Sequence, residues 1–403
     1  MRFFNYDRRM LDSDGYSSDA KGRITSVLEG ENVFSYTYDQ SDHPIILTSG
    51  NSQIHRRYNW FGEVASASTD GNTPTVYYGY DGTGNLAAKS QNTDYEMYYA
   101  YSSIGNIIQS LMPSERLENY TYTANGSLNT VVSDEKTFDY DYYDTGYVKS
   151  ITYPNGLKTT YNYDNINRVT SMITTMGTTT INTFLYEYDA NGNVISESRN
   201  GAETEYTYDS LDRLLSVTYS DGSSVTYEYD ALNNRTKETY SNGDVKDYVY
   251  DIKYQLKEVK LNGTVTDTYT YNETGAVASH NDETYTYDEW DRMSSYSDGT
   301  DTYTYKYDAN GIRTQKNDKQ YVVDINNNVV AETDNTGTIT DEILWGHQPL
   351  ARKVNGSWYY YIYNAHGDVV GLVNESGTVV NTYEYTPWGE IRSESECCDT
   401  IDG

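Results

Sequence analysis

The chain has 403 residues, more than the roughly 250–300 at which one hydrophobic core stops growing, so it is several domains or a repetitive fold. Leu, Ile, Val and Phe make up 70 residues (17%) and the formal charge is −31, values that ordinarily mark disorder. Such an acidic chain, without a basic stripe, is excluded from binding nucleic acid or an anionic membrane surface, since both are bound largely through Lys and Arg.

The N-terminus, from Met1 to Arg9, lacks the apolar core of a signal peptide, and no later stretch approaches the ~18–20 apolar residues of a membrane span. A repeat begins at Asn5-Tyr6-Asp7. The pattern Tyr-x-Tyr-Asp then recurs at Tyr36–Asp39, Tyr78–Asp81, Tyr161–Asp164, Tyr186–Asp189, Tyr206–Asp209, Tyr227–Asp230, Tyr248–Asp251, Tyr285–Asp288 and Tyr305–Asp308. Degenerate copies at Tyr58, Tyr99–Tyr101, Tyr120–Tyr122, Tyr143 and Tyr269–Tyr271 fill the gaps, so the period is about 21 residues. The 47 tyrosines restore a core that the aliphatic count misses, because each buried ring removes about 150–250 Å2 from water.

One unit shows the fold. After Tyr206-Thr207-Tyr208 comes the polar turn Asp209–Arg213. Leu215, Val217 and Tyr219 then alternate with Leu214, Ser216 and Thr218, and after Asp221-Gly222 the alternation resumes with Val225, Tyr227 and Tyr229. Period-two alternation means strand, and Asp-Gly means hairpin. The same second turn appears at Asn155-Gly156, Asn200-Gly201, Asn242-Gly243, Asn262-Gly263 and Asp298-Gly299. The fold class is therefore all-β: tandem hairpins stacked into a sheet, since one hairpin alone is marginal. Both rings of Tyr-x-Tyr are expected on one face, as cross-strand neighbours in the core. The following Asp is expected to accept turn N–H groups, and Arg168, Arg213, Arg235, Arg292 and Arg313 to pair with such carboxylates.

From 321 the pattern changes. Tyr321–Asp324, Ile343-Leu344-Trp345-Gly346, Trp358–Tyr361, Asn364–Gly371 and Tyr383-Glu384-Tyr385-Thr386-Pro387-Trp388-Gly389 follow one another. Repeat and closing segment together resemble the Rhs/YD-repeat family: bacterial Rhs and wall-associated proteins, toxin-complex shell subunits and teneurins. The resemblance covers about residues 5–391. It divides the chain into a repeat array (1–320), the start of an Rhs-associated core (321–391) and a disordered tail (392–403). It implies a spiralling β-sheet, here an open piece of a hollow shell, that in bacterial members encloses a C-terminal toxin, and it implies a secreted or cell-surface location. Family members normally continue into a self-cleavage motif and an effector; neither is carried over, so the chain reads as a fragment or truncated relative. The family's Asp before Pro387 is Thr386 here, which is expected to weaken that turn.

No enzyme motif appears, and no catalytic, cofactor-binding or metal residue is assigned. His43, His55, His280, His347 and His366 lack metal-ligand spacing. The carboxylates are periodic, as turn-builders are. Asp324-Ile325-Asn326-Asn327-Asn328 faintly resembles a calcium loop but lacks its glycine and glutamate. Adjacent Cys397 and Cys398 form no disulfide framework. The expected function is a structural shell segment whose partner is an encapsulated effector in full-length relatives, with self-association through open ends. The alternative is a wall- or carbohydrate-binding module or adhesin, since exposed tyrosines stack on sugar rings.

Overall fold

A computed structural model describes residues 15–29, 32–70, 76–91 and 94–396. The first expected repeat at Asn5–Asp7 and the cysteines Cys397 and Cys398 lie outside them. The described residues form 38 β-strands and no helix, as the all-β expectation required. Strand follows strand in antiparallel pairs, for example Ala202–Tyr208 with Leu214–Thr218 and Leu214–Thr218 with Ser224–Tyr229.

Each Asp turn carries a bulge. Thr207 faces Ser216 while Tyr208 faces Leu214, which leaves Leu215 as the extra residue and turns it outward. The turn itself is a four-residue β-turn: Asp212 N–H donates to the Asp209 carbonyl (3.1 Å) and Asp209 N–H to the Arg213 carbonyl (2.9 Å). Asp212 closes it at φ 60°.

The second turns share a position but not a geometry. Asn200 and Asn262 both take positive φ with the glycine after them, so two residues join Arg199 to Ala202 and Leu261 to Thr264. That is the tight primed turn an Asn-Gly pair favours. At Asn242-Gly243, Asn155-Gly156 and Asp221-Gly222 only the glycine is left-handed. Tyr240, Tyr153 and Tyr219 there donate to the residue four further on, giving the wider bulged turn.

The chain splits into two compact units, residues 1–118 with 269–340 and residues 119–268 with 341–403. This division does not follow a boundary at 320, because each unit joins an early stretch of ladder to a late one. The strand Ile391–Glu396 pairs with Val379–Tyr385, so the described part of the expected tail is strand.

In the first unit, Ile54, Ala67 and Ala309 are buried together against Leu47 and Trp290. In the second, Phe138, Tyr153 and Tyr360 meet with ring centroids 5.7–5.9 Å apart, among the fully buried Leu157, Leu344 and Leu350. Edge-to-face rings at this spacing add about 0.5–1.5 kcal/mol per pair beyond area burial. A core thus forms from aromatics where early and late stretches face each other.

Candidate functional site: the turn–tyrosine seam

The seam is built from two kinds of residue, the aspartates that shape the turns and the tyrosines that receive them. Asp209 Oδ1 accepts the N–H groups of Leu211 (2.8 Å) and Arg213 (3.0 Å), while Oδ2 accepts Arg213 Nε (2.7 Å). These bonds, the backbone N–H of Arg213 foremost, hold its carboxyl below the usual aspartate range. The Arg213 guanidinium also donates to the carbonyl of Asp230 in the next turn (3.2 Å) and lies 4.8 Å from the Tyr229 ring centroid. One arginine therefore ties two turns together.

Arg168 and Arg292 repeat this arrangement, and so does Arg23 with Asp19, a copy outside the Tyr-x-Tyr-Asp pattern. Arg235 and Arg313 do not. Arg235 pairs with the buried Glu238 (2.9 Å) and lies over Tyr248 and Trp388, because Asn234 already fills the Asp230 carboxylate. Arg313 lies against Tyr305 and Tyr321 instead. At Thr386 the hydroxyl accepts the N–H of Glu390 (3.2 Å), so this turn keeps its form with one side-chain bond to backbone where Asp makes two.

The two tyrosines of each motif do different work. The second latches backward: Tyr208 donates to the Val194 carbonyl at 2.8 Å, the first strand residue after the preceding Asp turn. The same latch recurs from Tyr38 onto Ile24 to Tyr385 onto Val369. Most of these second rings, Tyr208 among them, stay only half-buried, while Tyr363 is buried, which corrects the expectation that both rings of every motif enter the core.

Four first tyrosines, Tyr78, Tyr140, Tyr186 and Tyr227, point into the seam and meet a turn from the late stretch of their own unit. In the second unit, His347 N–H donates to Tyr140 Oη (3.4 Å), Ala365 N–H donates to Tyr186 Oη (3.0 Å), and Trp388 stands edge-on to Tyr227 at 5.5 Å. In the first unit, Asn310 Nδ2 donates to Tyr78 Oη (2.6 Å), and burial pushes that phenol up to about 12. Lys89, nearly fully buried, donates to the Asp324 carbonyl at 2.7 Å. Burial also raises the Asp324 carboxyl, whose Oδ1 accepts Asn326 and Asn328 N–H groups. The residues of the calcium-like pentapeptide are thus arranged as one more docking turn.

The histidines are seam and turn residues. His43 stacks on Tyr58 and bonds Asp39, His280 stacks on Tyr269 beside Glu283, His55 meets Gln53, and His366 meets Asp368. Sequence spacing shows the tyrosine ladder but not which turn lands on which ring.

The ladder finds counterparts among known proteins. A family model described as Teneurin YD-shell matches residues 106–247. The crystal structure of TcdB2-TccC3 superposes on 97% of this chain with a TM-score of 0.69 at 15% identity. The chain thus resembles the YD-repeat shell proteins, by family model over residues 106–247 and by fold over nearly its whole length.

This YD-repeat chain also superposes on the Photorhabdus luminescens Tc holotoxin pore, with a TM-score of 0.69 at 15% identity over 97% of its length. It is 36% identical to the tRNA3(Ser)-specific nuclease WapA of Bacillus spizizenii over 75 residues, and 31% identical to the tRNA nuclease WapA of Bacillus subtilis over 75 residues. It spans 3% of each WapA, and 26% and 25% of the TcdB2-TccC3 and holotoxin chains.

Proposed function

We propose that the chain forms part of the wall of a hollow shell that encloses a polypeptide effector outside the cell. The observation that carries this reading is the turn–tyrosine seam: late repeats seat on early ones, so the ladder builds a layered wall. The YD-shell match and the superposition on Tc toxin structures support it. On this reading residues 321–391 act as the start of a core segment that closes onto the array at 1–320. The wall itself is not catalytic. Asp189, Asp209 and Asp230 each spend a carboxylate on turn N–H groups, which leaves it poorly placed for acid–base work.

A reporter polypeptide fused after Gly403 tests the enclosure. Trypsin is expected to digest it more slowly than the same reporter released from the chain. Equal rates overturn enclosure and leave the wall fold standing.

A further inference from the structure

Opposite the first tyrosine of a repeat the ladder places an inward-facing residue. Tyr140 faces Ile151, Tyr161 faces Met172, Tyr206 faces Val217 and Tyr248 faces Val259, and these partners are all buried. Opposite Tyr78 the slot holds Lys89 instead, 3% exposed, with Met97 on its other flank. An amine in a slot built for an aliphatic side chain is costly unless it is paired or discharged. Glu238, in the same slot opposite Tyr227, is paired with Arg235. Lys89 donates to a carbonyl, that of Asp324, at 2.7 Å.

Two buried acids accompany this amine, Asp308 and Asp324, and both carboxylates act on its charge. Gln91, two residues along the strand, clamps the segment that leads to Asp324. Its Nε2 donates to the Tyr321 carbonyl (2.8 Å), and its Oε1 accepts the Val323 N–H (3.3 Å). The N–H groups of Asn326 and Asn328 hold Asp324 Oδ1 (both 2.8 Å), whereas the Asn328 side-chain amide holds Oδ2 more loosely, at 3.3 Å. Burial lowers the Lys89 amine from its ordinary range and raises the Asp324 carboxyl, so each moves towards its neutral form. A neutral amine and a neutral carboxyl are the pair that condenses.

We propose that Lys89 and Asp324 join through a side-chain amide bond, which ties the early stretch of the first unit to its late stretch. Nζ attacks Asp324 Cγ and the Cγ–Oδ2 bond breaks, so one water leaves and nothing is oxidised or reduced. Asp308 carries the proton, taking it from Nζ and giving it to the departing Oδ2. Oδ1 remains as the amide oxygen and keeps its two turn N–H groups. The bond discharges the buried amine and supplies a covalent tie that no disulfide could, since the sequence has no cysteine before Cys397. It goes beyond the wall role and does not depend on enclosure of an effector.

Intact-mass spectrometry of the full chain, with tandem sequencing of its tryptic peptides, tests the bond. The wild-type chain is expected to weigh one water less than its sequence, and the peptides holding Lys89 and Asp324 to run as one branched species. Lys89→Met, which keeps an apolar body in the slot, is expected to show its full sequence mass whether or not it folds. Asp308→Asn keeps both reacting groups and is expected to lose most of the cross-link. A wild-type chain of full mass overturns the proposal, as does a missing water placed elsewhere, such as a cyclised Asp-Gly. An undiminished cross-link in Asp308→Asn overturns the proton-carrying role.

Discussion

The hydroxyl of Tyr229 donates to the carbonyl oxygen of Leu214 at 2.8 Å, reaching from the end of one strand to the start of the strand just before it. Leu214 begins the strand just after the Asp209 turn, beside the bulge at Leu215, where ladder pairing is interrupted. The latch thus closes a weak point made by the previous repeat. Tyr229→Phe keeps the ring and removes the bond, and is expected to cost about 1 kcal/mol in urea unfolding. A variant as stable as the parent would mean that water serves the carbonyl equally well.

Position within the motif should set the cost of losing a ring. Tyr227 is 4% exposed and meets Trp388 edge-on, whereas Thr226 faces solvent. Tyr227→Ala is expected to cost about 3–5 kcal/mol, the range for large buried aromatics. Thr226→Ala should stay within about 0.5 kcal/mol. Similar losses at both positions would contradict a tyrosine core.

Tyr254 closes the Asp251 turn at φ 62° with its side chain largely exposed, where the other turns opened by an Asp or Asn place Gly, Asn or Asp. Left-handed backbone costs a residue with Cβ about 1–2 kcal/mol, partly offset by the chain entropy glycine loses. Tyr254→Gly is therefore expected to stabilise the protein by about 0.5–1 kcal/mol. A lower unfolding midpoint in the variant would show that the ring makes contacts worth more than the strain.

The legible part of the sequence is local. Period-two alternation and the Asp turns mark the hairpins, and Asp209 with Arg213 can be paired from spacing alone. Arg235 has the same kind of spacing, yet Asn234 displaces it from Asp230 towards Glu238, a competition between neighbours that a motif does not show. Asn200-Gly201 and Asn242-Gly243 share a dipeptide but differ in turn, because the flanking strand register chooses the loop length. The seam was hidden for another reason. Ala365 lies 179 residues from Tyr186, and no local pattern encodes which of the equivalent tyrosines it meets.

Alkaline pH should unfold this protein in a way set by its tyrosines. Burial raises many of the phenols, to about 12 at Tyr78 and Tyr360, against about 10 in an unfolded chain. A raised folded-state value means the native state holds its protons longer. Stability is then complete below about pH 10 and falls as pH rises through 10 towards 12. Tyrosinate absorbance is expected to rise cooperatively, together with loss of β-sheet circular dichroism. Smooth ionisation of all 47 phenols near their ordinary value, with the sheet intact, would contradict the seam.

The most direct test of the layered wall is a double-mutant cycle on Tyr227 and Trp388, two residues 161 positions apart whose rings meet at 5.5 Å. Tyr227→Ala, Trp388→Ala and the double variant are compared by denaturant unfolding. If late turns seat on early tyrosines, the pair should show a coupling energy of about 0.5–1.5 kcal/mol. Effects that add to within about 0.3 kcal/mol would contradict that contact, and with it the layered wall.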